Sequence, residues 1–359
     1  MLNALPAGTP SLRLLADQTA QVLVGLSHAL DGLALLVAEP ARRPSLGRVR
    51  FHVPDLWPAF VNAGRAFVAI GAVELFWIVT AWPSGASAIT FTAIVITLLA
   101  PRADEAYALA LRFAVGVALG AVGAAIVEFA GLPNVETFVG FSIMIGLYLV
   151  PVGALIAQPW QTAVFIGMAY NFLPVLAPAN QMTYDTVQFY NAALAIVAGS
   201  IAGVLSFRIL PPLSPAFRTR RLLALTLRGL RRLAANPRGL REDWEGRMHS
   251  RIAALPDAAE PLQRSQIVTA LSVGSEIINL RRIAPQLGFG PELDAALAAL
   301  AEGDSAAANA RLAALDRRLG SLPDSDPQAR LALRARVLIL GIGDALEQHR
   351  AYFDAGAPA

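Results

Sequence analysis

The chain has 359 residues, of which 55% are hydrophobic and only 15% charged, and its formal net charge is +3. Because a soluble domain carries about 25% charged residues, this composition indicates a membrane protein. The sequence holds no cysteine and no lysine, which excludes thiol catalysis, cysteine-ligated metals, a lysine-dependent P-loop and Schiff-base chemistry. No metal or nucleophile–base pattern emerges, so we expect neither an enzyme nor a cofactor.

Charged residues are concentrated in the two flanks of the chain. Residues 1–60 contain apolar residues at helical spacing over 12–37, which predicts a cytosolic amphipathic helix, followed by a basic linker over 42–50. Packing on a cytosolic domain and binding at the membrane interface are both open for this helix. The arginines of the flanks are typical of cytoplasmic segments beside a membrane, and we expect no nucleic-acid partner.

The middle of the chain consists of long apolar segments joined by short links. A helix needs about 20 apolar residues to cross a bilayer, and short links place consecutive helices antiparallel. The segments lie near 62–81, 84–100, 106–130, 137–157, 160–178 and 187–209. Residues 61–210 are therefore predicted to form a domain of six transmembrane helices embedded in the lipid bilayer.

Arginine distribution predicts the orientation of these helices. The 42–50 linker, Arg102 and the region after Arg208 fall on one side, whereas the links on the other side contain no arginine. Positive residues favour the cytoplasmic side, so both termini are expected in the cytoplasm. Residues 211–359 mix acids and bases in helical segments broken by prolines, which predicts a cytosolic helical domain and an all-α protein.

Glu74 is the strongest candidate for a functional residue. It lies inside the first apolar segment, where a charged side chain costs about 3 kcal/mol and is frequently functional. The sequence leaves two interpretations open: a proton-carrying or substrate-binding carboxylate, or a buried ion pair with Arg112. Glu128 is expected to reach water at the outer end of the third segment.

Two arginines and two polar residues complete the candidate pathway. Arg65 and Arg112 lie in the first and third segments, where they either extend to the cytoplasmic interface or form an electropositive vestibule for an organic anion. Thr90 belongs to a hydroxyl stripe that lines a pore or bonds its own helix. Asn171 precedes Pro174, so it either satisfies a freed carbonyl or binds ligand.

Small residues predict two close helix contacts. The pairs are Gly116-xxx-Gly120 and Gly199-xxx-Gly203, and such spacing lets helix backbones approach each other. We expect packing seams at both places, within the chain or between subunits.

Two stretches carry a resemblance to a known family. The run into Trp82-Pro83-Ser84-Gly85, and the later Asn171, Tyr184-Asp185 and Asn191, resemble the second membrane half of the bacterial fusaric acid resistance family of aromatic acid exporters. The resemblance extends over about residues 10–285. It implies efflux of aromatic carboxylates across the inner membrane, sometimes with a periplasmic adaptor protein. With Glu74 as proton carrier and Arg65 and Arg112 attracting the anion, our first hypothesis is a proton-coupled exporter of aromatic or other organic acids, built as a homodimer or paired with a first-half chain.

The usual family member has two membrane halves, and this sequence resembles only the second. Two alternatives to a coupled exporter therefore stay open. One is an uncoupled dimeric channel for organic anions, as in the plant malate channels of similar architecture. The other is a half that transports nothing until a partner chain is supplied.

Overall fold

The computed structural model describes residues 53–102, 104–179, 182–236, 241–323 and 327–354. It also describes scattered residues between 12 and 33, and these scattered residues are helical. The predicted basic linker over 42–50 lies outside the described residues. The described chain contains no β-strand, so the all-α prediction is confirmed. Contacts divide the chain into a unit over Leu56–Ser214 and a second unit formed by the residues on either side of it. The division into three domains over 1–60, 61–210 and 211–359 stays a prediction.

The described residues of the Leu56–Ser214 unit form six apolar helices at the predicted places. They are α1 (Trp57–Thr80), α2 (Gly85–Leu99), α3 (Ala106–Ile126), α4 (Phe138–Ile156), α5 (Thr162–Leu176) and α6 (Thr186–Ile209). A π-helical turn (Val127–Gly131) and a 3-10 turn (Leu132–Asn134) extend α3. A further 3-10 turn (Ala100–Arg102) extends α2. With these extensions included, every helix of this unit except α5 is long and apolar enough to cross a membrane. The number of spans stays a prediction, since the 15 residues of α5 cover only about 22 Å.

Glycine contacts confirm both predicted seams and place them within the chain. A Cβ on Gly116 would lie 1.9 Å from the carbonyl oxygen of Val164, which joins α3 to α5. A Cβ on Gly199 would lie 2.2 Å from the carbonyl oxygen of Ala88, which joins α6 to α2. Buried Thr92 reinforces the second seam, because its Oγ1 donates to the Gly199 carbonyl at 2.9 Å. These two helix pairs form the centre of the unit.

Helices α1 and α4 lie at the periphery of this centre. Arg65 is the buried residue of α1, and Val152 is the buried residue of α4. Both helices are apolar on every side, as helices in contact with lipid are. α1 packs against α2 and α6, and α4 packs against α5.

We name the two ends of this unit by their residues. The arginine end comprises 100–106 and 208–214, and the tryptophan end comprises 81–85, 131–137 and 182–186. α1 runs from the arginine end to the tryptophan end, and α6 runs back. Asp185 begins α6, where its Oδ1 accepts from the backbone nitrogens of Val187 and Gln188 at 2.9 and 3.2 Å and replaces missing intrahelical partners.

The second unit is a helical domain with its own apolar core. Its described helices are α7 (Pro215–Ala235), α8 (Arg241–Ala253), α9 (Pro261–Leu287), α10 (Gly290–Glu302), α11 (Ser305–Gly320), α12 (Ala329–Gln348) and α13 (Arg350–Phe353). Trp244 is 1% exposed and sits against Gly274, with its Nε1 donating to the carbonyl of Leu271. Asp55 joins this unit through a 2.5 Å ion pair with Arg221.

Glu276 is a buried carboxyl in this domain and makes its stability depend on pH. Its Oε1 accepts from Ser272 at 3.3 Å, and its Oε2 is buried with no partner among the described residues. Burial raises the pKa of Glu276 from 4.5 to about 7. Because the folded state favours the neutral acid, the stabilisation is complete below pH 4.5 and is lost as pH rises to about 7. The loss amounts to about 3 kcal/mol.

We therefore expect Glu276→Gln to stabilise this domain above pH 7 and to have little effect near pH 4.5. The measurement is hydrogen exchange of α9 peptides in the full chain at both pH values. Glu302→Gln, at an exposed position on α10, is the matched control and should change neither. Equal protection of wild type and Glu276→Gln at the higher pH would contradict the expectation.

Candidate functional site

An apolar cavity of about 370 Å³ lies between α1 and α6. Val68, Ala72 and Phe76 line one side of it, and Ala202 and Leu205 line the other. Its volume falls in the range of small-molecule sites, which are mostly apolar with a few polar groups. α1 contacts the end of α6 through Arg65, and the link after α1 contacts α6 through Trp82.

Arg65 forms the contact at the arginine end. Its side chain is 1% exposed; Nε donates to the carbonyl of Leu210 at 2.7 Å, and Nη1 donates to Asn62 Oδ1 at 2.6 Å. The guanidinium lies 4.9 Å from the centre of the Phe207 ring. Leu210 also lines the cavity, so the arginine is adjacent to it.

This guanidinium has no anionic partner in the part of the chain that the structure describes. None of the acids that the structure describes pairs with Arg65, and Nη2 is buried without a hydrogen-bond partner. A buried charge is costly unless it is paired, and guanidinium matches the planar carboxylate with two parallel hydrogen bonds. The apolar cavity and the buried cation are therefore neighbours: Arg65 does not line the cavity, and its guanidinium lies behind the Leu210 wall.

Trp82 forms the contact at the tryptophan end. Its Nε1 donates to Oδ1 of Asn191 at 3.4 Å, and its ring packs edge-on against Phe76 at 6.2 Å. Gly85 leaves room for Trp77, since a Cβ there would meet the indole at 2.0 Å. The two stretches that carry the family resemblance thus meet at this end of α1 and α6.

Glu74 and Arg112 do not form the ion pair that the sequence left open. Both side chains are exposed on the surface of the unit, on α1 and α3. Glu74 lies six residues, about 9 Å, before the end of α1, and Arg112 lies about 9 Å after the start of α3. Because α1 and α3 run in the same direction, these positions fall at opposite depths. The functional roles of Glu74 and Arg112 stay predictions.

The two polar candidates make helix contacts. Thr90 is exposed, and its Oγ1 donates to the Ala86 carbonyl of its own helix at 2.9 Å. Asn171 is fully buried and donates from Nδ2 to the Val117 carbonyl on α3 at 2.6 Å, while its Oδ1 has no partner among the described residues. Neither residue lines the cavity, so a pathway through Thr90 or Asn171 stays a prediction.

The expectation that Glu128 reaches outer water is wrong. Glu128 is 5% exposed and lies in the π-helical turn after α3. The sequence position near the end of an apolar segment suggested an interface, but the wider turn keeps this side chain inside. Thr92 is another buried polar residue, and the sequence did not indicate it. The spacing of the hydroxyl residues in α2 pointed to Thr90, which lies on the exposed face of that helix.

Comparison with known proteins identifies relatives over nearly the whole chain. The profile described as the Fusaric acid resistance protein family matches residues 3–355. An uncharacterized transporter, GOX0755, of Gluconobacter oxydans is 28% identical over 94% of this chain and 49% of its own length. The p-hydroxybenzoic acid efflux pump subunit AaeB of Pantoea ananatis is 30% identical over 46% of this chain and 25% of its own.

A further relative is the uncharacterized transporter YdhK of Escherichia coli, which is 25% identical over 75% of this chain and 39% of its own length. The chain thus spans about half or less of the length of these relatives. No solved structure matches it.

Proposed function

Because this chain belongs to the fusaric acid resistance protein family, we propose that it is an inner-membrane efflux transporter, or half of one, for aromatic and other organic acids. The observation that supports the proposal is the buried guanidinium of Arg65, which has no acidic partner among the described residues and lies behind the Leu210 wall of the apolar cavity. An aromatic acid needs both features at once. We propose membrane transport, with no enzymatic step, as the function.

We further propose that the transporter is proton-coupled and contains two membrane halves. The relatives are two or more times as long as the matched region, so a second copy or a separate first-half chain would supply the remaining helices. The exposed Glu74 supports this, since a partner helix would remove an intramembrane carboxylate from lipid. A periplasmic adaptor protein is a further proposed partner, and both termini would be cytoplasmic.

Filling the cavity should block transport. In inverted membrane vesicles we expect the wild-type chain to accumulate labelled p-hydroxybenzoate above the level of vesicles that lack it. Ala202→Phe adds a ring inside the cavity and should reduce this accumulation to background. Ala154→Phe adds the same ring on the exposed surface of α4 and should not.

Three outcomes are informative. If Ala202→Phe does not reduce the accumulation, the transport pathway must lie outside this cavity. Movement that follows the anion gradient alone, and that an uncoupler does not change, would favour an uncoupled channel. Activity that appears only when a first-half chain is added would identify the chain as half of the transporter.

A further inference from the structure

A break in helical geometry marks the tryptophan end of α3. After Ile126 the chain forms the π-helical turn Val127–Gly131 and then the 3-10 turn Leu132–Asn134. π-helical turns are rare and are frequently located at functional sites. This turn holds the acidic residue Glu128.

The chain itself buries Glu128. Its side chain is 5% exposed, and Oε2 has no hydrogen-bond partner among the described residues. Neighbouring Val127 belongs to the apolar core, and the Phe129 ring packs 5.1 Å from the ring of Phe189. An unpaired carboxylate is costly in such surroundings, whereas a neutral acid is tolerated more readily.

The described elements packed around this turn place no basic side chain next to Glu128. α4 contacts the turn and carries Tyr148 as its titratable side chain, with no arginine or histidine. On α6, which Phe129 reaches through Phe189, the nearby titratable groups are Asp185 and Tyr190, while Arg208 is at the opposite end. Among the residues that the structure describes, Glu128 thus has no neighbouring cation that would hold it permanently ionised.

We propose that Glu128 is the proton-binding carboxylate that couples acid export to the proton gradient. This inference rests on the proposed function and assigns to Glu128 the role that the sequence suggested for Glu74. The Glu128 carboxylate takes up one proton from the tryptophan end and becomes a neutral acid. When the chain changes conformation, this acid releases the proton to the arginine end and ionises again, so one proton crosses the membrane in each cycle. This protonation step uses no reactant besides the proton.

Two transport modes in inverted vesicles test the proposal. The first is accumulation of labelled p-hydroxybenzoate driven by an acidic interior, and the second is exchange of labelled for unlabelled acid without a gradient. We expect Glu128→Gln to abolish the first and to retain the second. Glu136→Gln, at an exposed position beside the same end, should retain both.

Infrared difference spectra of the purified chain in lipid, between acidic and alkaline buffer, give a readout that needs no transport. Every form compared, wild type included, carries Glu276→Gln, because the buried carboxyl of the second unit would otherwise contribute the same band. We expect the band of a protonated buried carboxylic acid in wild type and in Glu136→Gln, and its loss in Glu128→Gln. The substitution Glu128→Asp, which retains a carboxyl, should retain the band.

Several results would overturn the proposal. They are gradient-driven accumulation by Glu128→Gln, loss of both modes in a folded Glu128→Gln, absence of the infrared band in wild type, and loss of coupling in Glu74→Gln while Glu128→Gln remains coupled. If wild type moves no acid in either mode, alone or with a first-half chain added, the proposed function fails, and the infrared titration still decides whether Glu128 binds the proton.

Discussion

Arg65→Met should reduce transport of p-hydroxybenzoate at low substrate concentration by roughly 10- to 100-fold. The variant retains most of the side-chain length but removes the charge that would pair with the carboxylate. A hydrogen bond to a charged group contributes about 1.5–3 kcal/mol, and each 1.4 kcal/mol is tenfold in affinity. The measurement is the initial rate of uptake into inverted vesicles as a function of substrate concentration.

The position of Arg65 also gives it a structural role that must be separated from substrate binding. Its Nε bonds the carbonyl at the end of α6, where a cation is favourable because the helix dipole is negative there. Arg65→Lys keeps the charge but not the planar pair of donors, so we expect a higher KM with kcat largely retained. Thermal unfolding of each variant reports the structural part.

Arg102→Met is the control for charge at the same end. Arg102 is exposed in the link between α2 and α3, and its replacement should leave the rate close to wild type. Arg65→Met could unfold at a lower temperature but transport normally while folded. In that case Arg65 only stabilises the contact between α1 and α6, and other residues must bind the substrate.

Helix positions could be predicted from the sequence because they depend on local properties. Long apolar segments and the short links between them are visible directly in the sequence. The small-residue spacing that includes Gly116 and Gly199 predicts a close helix contact without identifying the partner helix. Asp185 illustrates the same point, since its capping role involves only the next three residues. Each of these features needs no knowledge of the tertiary arrangement.

The site could not be predicted in the same way because its parts are distant in sequence. Arg65 bonds a carbonyl 145 residues away, and the Trp82–Asn191 contact spans 109 residues. α1 is apolar on every side, so the sequence could not indicate that Arg65 faces inward and Glu74 outward. The burial of Glu128 depends on a π-helical turn, for which hydrophobic periodicity gives no signal.

Gly116→Ala should prevent the Leu56–Ser214 unit from packing, although it adds a single methyl group. In a free helix this change is favourable by about 1 kcal/mol, because alanine has the higher helix propensity. Here the new Cβ would lie 1.9 Å from the Val164 carbonyl oxygen, and the reciprocal contact from Gly167 to the Phe113 carbonyl is also closed to a methyl group. Backbone atoms cannot rotate away, so α3 and α5 must separate.

We expect Gly116→Ala to lose about 3 kcal/mol or more of stability, measured as a lower unfolding temperature and lower yield of the detergent-purified chain. Gly146→Ala is the matched control, since a Cβ at that position of α4 meets nothing within 4 Å; it should be neutral or slightly stabilising. Equal unfolding temperatures for the two variants would mean that α3 and α5 are further apart in the membrane. In that case Asn171, whose Nδ2 reaches the Val117 carbonyl across the same seam, would be available to a ligand instead.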